Sequence, residues 1–160
     1  MGYRRRIVLA PYAQKLRPPQ QQLPNPKNYP YFPELITLLK EYKIIQIGIA
    51  GEAQLVDDFR QNRPLKEIES LVQETNFFLS VDSFLPHLAH HIGKTGVVLW
   101  GQSDPNIFGY SDNLNLLKDR SFLLPNQFGI WEAAKFNPDA FMDAQAVFKR
   151  IIQWQQPSLT

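Results

Sequence analysis

NFFLSVDSFLPHLAHHIGKTGVVLWGQSDPNIFGY, residues Asn76 to Tyr110, holds two apolar runs with a short helical pattern between them. The first run, with Phe77, Phe78, Leu79 and Val81, stops at Asp82-Ser83. Pro86 stands where a helix can begin, since its fixed φ and missing N–H cost nothing in a first turn. Leu85, Leu88, Ala89 and Ile92 follow at helical spacing, Gly93 is placed to end the helix, and Gly96 precedes the second run, Val97 to Trp100. Two apolar strands joined by a helix pair in parallel, buried on both faces, with the crossover helix lying on the sheet.

In an open parallel sheet, ligands bind outside the carboxyl ends of the strands. Asp82-Ser83 and Gly101-Gln102-Ser103-Asp104 leave two such ends. The first loop also opens a helix, whose N-terminal amides and dipole favour an anion. A phosphate-bearing ligand is the first expectation.

Upstream, Arg6 to Ala10 reads as a first buried strand. Pro11 to Pro33 holds seven of the thirteen prolines and the Gln20-Gln21-Gln22 run, which rules out helix or paired strand through most of it. A loop as long as 11–33 is either ordered in part over a ligand or a simple excursion. Leu35, Ile36, Leu38, Leu39 and Tyr42 predict an amphipathic helix opened by Pro33-Glu34, and Ile44 to Ile49 a strand. Glu52 is predicted to begin a helix carried by Leu55, Val56 and Phe59, and Pro64 to open another through Leu65, Ile68, Leu71 and Val72. Beyond Tyr110 the pattern weakens to a loop, a short strand at Ser121 to Leu124, and an aromatic connection from Phe128 to Phe136. A last helix over about 138–155 is started by Asn137-Pro138-Asp139 and striped by Phe141, Ala144, Phe148, Ile151 and Ile152. Alternating strands and helices predict an α/β fold with a parallel sheet.

The chain, 1–160, reads as a single domain, and its 44% hydrophobic and 12% aromatic content argues for a packed core. A net charge of +2 gives no reason to expect nucleic acid as a partner. The lack of cysteine removes disulfides, Cys-ligated zinc and thiol catalysis, and fits a cytoplasmic protein. No apolar run approaches the ~20 residues of a membrane span. Arg4, Arg5 and Arg6 read as the solvated end of the first strand and not as part of a signal peptide.

Asp82 and Ser83 are either ligand contacts or a helix cap. His87 shares a helix face with His90 and His91, but two such side chains fall short of a metal ligand set, and no metal is expected. Glu52 is either an acceptor for a ribose diol or a first-turn glutamate favoured by the helix dipole. Gly93-Lys94-Thr95 lies between helix and strand, the wrong order for a P-loop. Trp100 and Trp131 read as packing.

These positions together resemble one family. Asp82-Ser83-x-x-x-His87-Leu88-Ala89, then Val97-Val98-Leu99-Trp100-Gly101-x-Ser103-Asp104-Pro105, is similar to the C-terminal, donor-binding half of the lipopolysaccharide heptosyltransferases, glycosyltransferase family nine. Those proteins carry D-S/T-G-x-x-H-x-A and then an F-G-x-T-D-P-like turn. Lys27-Asn28-Tyr29-Pro30 resembles the family's K-x-W-P, Gly48 to Glu52 its G-x-x-x-E, and Arg63 to Ile68 its t-s-L-x-E-l helix start. The resemblance covers about residues 5–110 and lies in the order and spacing of several motifs.

It implies a Rossmann-like parallel sheet with helices on both faces, equivalent to one half of a GT-B fold. It also implies an inverting hexosyl- or heptosyltransferase-like protein with a nucleotide-diphosphate sugar as donor substrate, no other cofactor and no metal. Lys27, Glu52, Asp82, Ser83, His87, Ser103 and Asp104 are the donor-site residues so implied, with Lys27 and His87 near the phosphates. In the family the acceptor site and the general base come from the other half. The resemblance therefore leaves two readings: an enzyme completed by a homodimer or a separate acceptor-binding subunit, or a non-catalytic protein that senses or sequesters a nucleotide or nucleotide sugar. Phe84 departs from the pattern, standing where the family has the glycine that lets backbone approach a diphosphate. Its ring goes either into the core or over the ligand.

Overall fold

The computed structural model describes residues 5–14, 24–129 and 134–156. The centre of the proline-rich loop, Arg4 and Trp131 lie outside them. In chain order the elements are β1 (Arg5–Ala10), α1 (Phe32–Leu38), β2 (Tyr42–Gly48), β3 (Asp58–Gln61), α2 (Leu65–Glu74), β4 (Phe77–Val81), α3 (Phe84–His91), β5 (Gly96–Trp100), α4 (Pro105–Phe108), β6 (Leu114–Leu117) and α5 (Ala144–Gln155). The six strands form one sheet in the order β3-β2-β1-β4-β5-β6, every neighbouring pair parallel. This is the Rossmann order, with the direction of winding reversed between β1 and β4.

Successive side chains of a strand point to opposite faces, and here both faces are apolar. Ile7, Leu9, Phe77, Leu79, Val97 and Leu99 pack with Leu35 from α1 and with Val147 and Ile151 from α5. Val8, Ala10, Phe78, Val98 and Trp100 pack with Leu71 and Val72 from α2 and with Leu85 and Ala89 from α3. Helices therefore cover both faces, as expected of central strands with no polar side. The loop after α3 is closed by Gly93 at φ +75°, with Lys94 N donating to Ala89 O and Gly93 N to His90 O, the paired bonds of a Schellman turn.

The structure corrects the reading in several places. No helix forms from Glu52 to Phe59. The chain crosses from β2 to β3 in a loop, and Phe59 lies inside β3. The cause is Gln46, a fully buried residue whose Nε2 donates to Ala53 O (2.9 Å) and whose Oε1 accepts from Leu55 N (2.8 Å). One side chain satisfies the backbone that a helix would otherwise satisfy, while Leu55 and Val56 pack against the core. Tyr42 is the first residue of β2 and not the end of α1, and α3 starts at Phe84, ahead of Pro86.

The last strand is Leu114–Leu117, and the segment expected as a strand at 121–124 begins in a 3₁₀ turn, Arg120–Phe122. Asn137-Pro138-Asp139 caps only a 3₁₀ turn, Pro138–Ala140. The helix proper is capped by Asp143, whose side chain accepts from Ala146 N. In each case a short polar side chain stops or starts an element that apolar periodicity alone runs through.

Gln46→Leu keeps the volume but leaves the carbonyl of Ala53 and the amide of Leu55 without their partner. The expected cost is about 1–3 kcal/mol, read from chemical denaturation. An unchanged midpoint would show that the loop holds without it.

Candidate functional site

The carboxyl ends of β1, β2 and β4 surround an open cleft of about 650 Å³. It lies at the point where the sheet reverses, because the chain leaves β1 toward β2 but occupies the far side of β1 only with β4. Ala10, Ala13 and Gly48 line it with little or no side chain, and Tyr12, Lys27, Glu52, Asp82, Ser83, Phe84 and His87 are among the larger residues around it.

Lys27 reaches the cleft because the two ends of the proline-rich loop are tied together. Asn25, only 8% exposed, donates through Nδ2 to Gln14 O (2.7 Å) and accepts from Lys27 N (2.9 Å). Asn28 Oδ1 accepts from Ala13 N at 2.8 Å. This neck sets Lys27 Nζ 3.0 Å from Asp82 Oδ2, with the two side chains 22% and 15% exposed. Sequence reasoning named both residues as ligand contacts. The structure brings them together as an ion pair, so an anion in the cleft must share the lysine with Asp82.

Neither Asp82 nor Ser83 is a side-chain cap. Asp82 turns to Lys27, and the Ser83 hydroxyl lies 3.0 Å from that of Ser80. Among the described residues the first turn of α3 has no side-chain cap from Ser83, and Pro86 brings no N–H to it. Glu52 is not a first-turn glutamate. It folds back over the end of β2, Oε1 accepting from Ile49 N at 2.6 Å, and a side chain at Gly48 would strike that oxygen. Tyr12 stands beside it, and burial, then the charge of Glu52, raises the phenol above its ordinary value.

His87 points its Nδ1 at the Tyr110 hydroxyl, 2.7 Å away, while His90 stacks on the Tyr110 ring. His91 is exposed. Among the described residues no group of three His, Asp or Glu is placed to hold a metal ion.

Ser103 does not line the cleft, but it lines a neighbouring cavity of about 10 Å³ that Lys27 and Asp82 also line. That volume suits a single water. Asp104 braces the fold: it caps α4 by accepting from Asn106 N at 2.9 Å, and Arg120 clamps both its oxygens at 3.1 and 2.7 Å. The Arg120 guanidinium, with help from the Asn106 amide and against burial, holds the carboxyl below its ordinary value. Gln127 completes the brace, accepting from Asp104 N and donating to Gln102 O and Leu124 O.

Phe84 settles one open alternative. It is 49% exposed on the cleft wall and belongs to neither core. Asn25 and Tyr110 were not foreseen. The Asn25-Pro26 dipeptide, a frequent turn opener, was a usable signal for the first, and nothing in the local sequence marks the second.

No protein-family model and no curated protein matches the chain. Solved structures do. The E. coli ADP-heptose lipopolysaccharide heptosyltransferase II superposes with a TM-score of 0.66 at 16% identity, over 96% of this chain and 47% of that one. The E. coli heptosyltransferase WaaC, solved with ADP, gives 0.63 at 18% identity over 94% and 44%. The dodecameric iron-containing heptosyltransferase TibC, in complex with ADP-D-β-D-heptose, gives 0.57 at 19% identity over 88% and 36%. The fold is that of half a heptosyltransferase. The chain spans less than half the length of each of these proteins, and the Rossmann-like sheet expected from the sequence resemblance is the sheet found.

Phe84→Ala is expected to change stability by less than about 1 kcal/mol, because an exposed ring leaves no cavity. A buried phenylalanine would cost ~3–5 kcal/mol, and a loss of that size in thermal or urea unfolding would return Phe84 to the core. Asp104→Asn tests the brace. A carboxyl whose pKa is depressed by folding stabilises the protein above its unfolded value and loses that contribution as pH falls through the folded one. The variant should therefore be less stable than wild type at pH 7, with the gap closing below about pH 4. A gap that is constant across that range would rule out the Asp104–Arg120 pair as its source.

Proposed function

We propose that this chain is the donor-binding part of a glycosyltransferase-like protein and that its cleft takes a nucleotide-diphosphate sugar. The observation that carries the reading is the meeting of Lys27, Glu52, Asp82, Ser83 and His87 around one cleft at the reversal point of the sheet. In such a transfer an acceptor hydroxyl attacks the anomeric carbon, the bond to the diphosphate breaks with its electron pair, and a base takes the hydroxyl proton. Lys27, His87 and the N-terminal amides of α3 suit the departing negative charge. Glu52 suits a ribose diol. The base and the acceptor site belong to a second lobe.

A second lobe has a surface to meet. Ile49, Phe84 and Ile107, half-exposed large hydrophobics, lie in segments that follow the carboxyl ends of β2, β4 and β5. Phe128, 79% exposed, adjoins Gln127, which is bonded to the loop after β5. Apolar side chains gathered at one end of a sheet suit contact with another protein or a ligand.

Phe84 favours a second reading, a non-catalytic protein that senses or sequesters a nucleotide. It lines the cleft at the start of α3 with a bulky side chain, where a glycine would let backbone approach a diphosphate.

ADP, ADP-sugars and the other nucleoside diphosphates, titrated calorimetrically with and without EDTA, test both. At about 100 times its Kd a ligand adds ~2.7 kcal/mol of stability, and binding unaffected by EDTA is expected. Absence of binding by every nucleotide defeats both readings. Binding without turnover when an acceptor-binding lobe is supplied selects the second, and loss of binding with EDTA overturns metal independence.

A further inference from the structure

Tyr110 is held on several sides. His90 stacks on its ring at 3.9 Å between centroids and 13° between planes. Its carbonyl accepts from Asn115 Nδ2 at 2.8 Å and from Asn113 N at 3.1 Å. Asn115 is fixed in turn by the Trp100 indole, which donates to its Oδ1 at 3.0 Å. A line of contacts therefore runs from β5 through β6 to Tyr110, and from its hydroxyl to Nδ1 of His87, 2.7 Å away on the cleft wall.

A phenol brings one proton, whereas an imidazole brings two unlike nitrogens. Among the described residues, His87 Nδ1 is the hydrogen-bonding partner of that hydroxyl, and which of the two donates depends on the imidazole tautomer. With the phenol as donor, its proton lies toward Nδ1. Neutral His87 then carries its own proton on Nε2. When a second proton arrives, Nδ1–H donates back to the phenol oxygen and Nε2–H stays. In both states the nitrogen away from Tyr110 is a donor. We infer that Tyr110 is a positioning residue of the cleft, holding His87 with Nε2 ready to donate to an anionic oxygen of the bound ligand. The identity of that ligand rests on the nucleotide reading above, while the placement of the proton does not.

Other groups act on the same imidazole. Lys27 from the loop, Glu52 from the β2–β3 connection, Asp82 from the end of β4 and Tyr12 beyond β1 line the cleft with it, and His90 on its own helix lies over the Tyr110 ring. Their charges are common to wild type and to Tyr110→Phe, so the comparison isolates the phenol.

Nitrogen-15 NMR of the His87 ring in the full chain reads the tautomer directly. A pyridine-like Nδ1 and a pyrrole-like Nε2 are expected in the neutral wild type, and a mixture of tautomers in Tyr110→Phe. ADP titrations at pH 8 and pH 5 supply the second readout. The variant should bind more weakly at pH 8, by up to about twofold where the competent tautomer falls toward half the population. The deficit should close at the lower pH once the same nitrogen shifts show a doubly protonated ring, which has protons on both nitrogens in either protein. A pyrrole-like Nδ1 in wild type, an unchanged tautomer in the variant, or an equal deficit at both pH values would overturn the inference. If wild type binds no ADP, the nucleotide reading fails, and the nitrogen shifts still decide where the proton sits.

Discussion

β1 has hydrogen-bonded neighbours on both sides, and the chain reaches them by opposite routes: directly to β2 on one side, and to β4 on the other only after β3 and α2. The segments that leave β1 and β4 therefore diverge, and neither can cover the mouth between them. The cleft is a consequence of connectivity before it is a matter of side chains. Its small lining residues, Ala10, Ala13 and Gly48, keep that mouth from being filled from below.

Irregular backbone at this end of the sheet is held by a few buried polar side chains. Asn25, Gln46 and Asp104 are each nearly or fully buried; the first two bond backbone in loops, and Asp104 caps α4 where the loop after β5 ends. A buried amide or carbonyl without a partner costs about 1–3 kcal/mol, so loops of this kind persist only where such side chains reach them. These residues explain why segments without periodic structure can still fix Lys27 and the loop after β5 in place.

The sheet was legible because its central strands are apolar on both faces and end in unmistakable punctuation: Asp82-Ser83 after β4, Gly93 after α3. Local pattern failed where one distant side chain took over the work of a whole element. Apolar spacing from Leu55 to Phe59 fits a helix, and only the buried Gln46 side chain, bonded to this segment's backbone, makes a loop the better solution. The candidate site was legible as a set of residue types but not as a set of pairings. Lys27 and Asp82 each read as a contact for a ligand, while their ion pair depends on β1 lying beside β4 and on the Asn25 neck. Asp104 was marked by its place in a motif, and its duty to Arg120 comes from a residue that no local spacing connects to it.

The neck has an effect on what the chain can tolerate. Its bonds join Ala13 and Gln14 to Asn25 and Asn28, so the place of Lys27 is set by the residues of the neck itself. Loop-closure entropy grows only with the logarithm of length, about 0.6 kcal/mol for each doubling. A change in the number of residues between the two sides of the neck therefore costs little by that measure. The lysine beyond the neck keeps its distance from Asp82 through such changes, which separates the length of the loop from the geometry of the cleft.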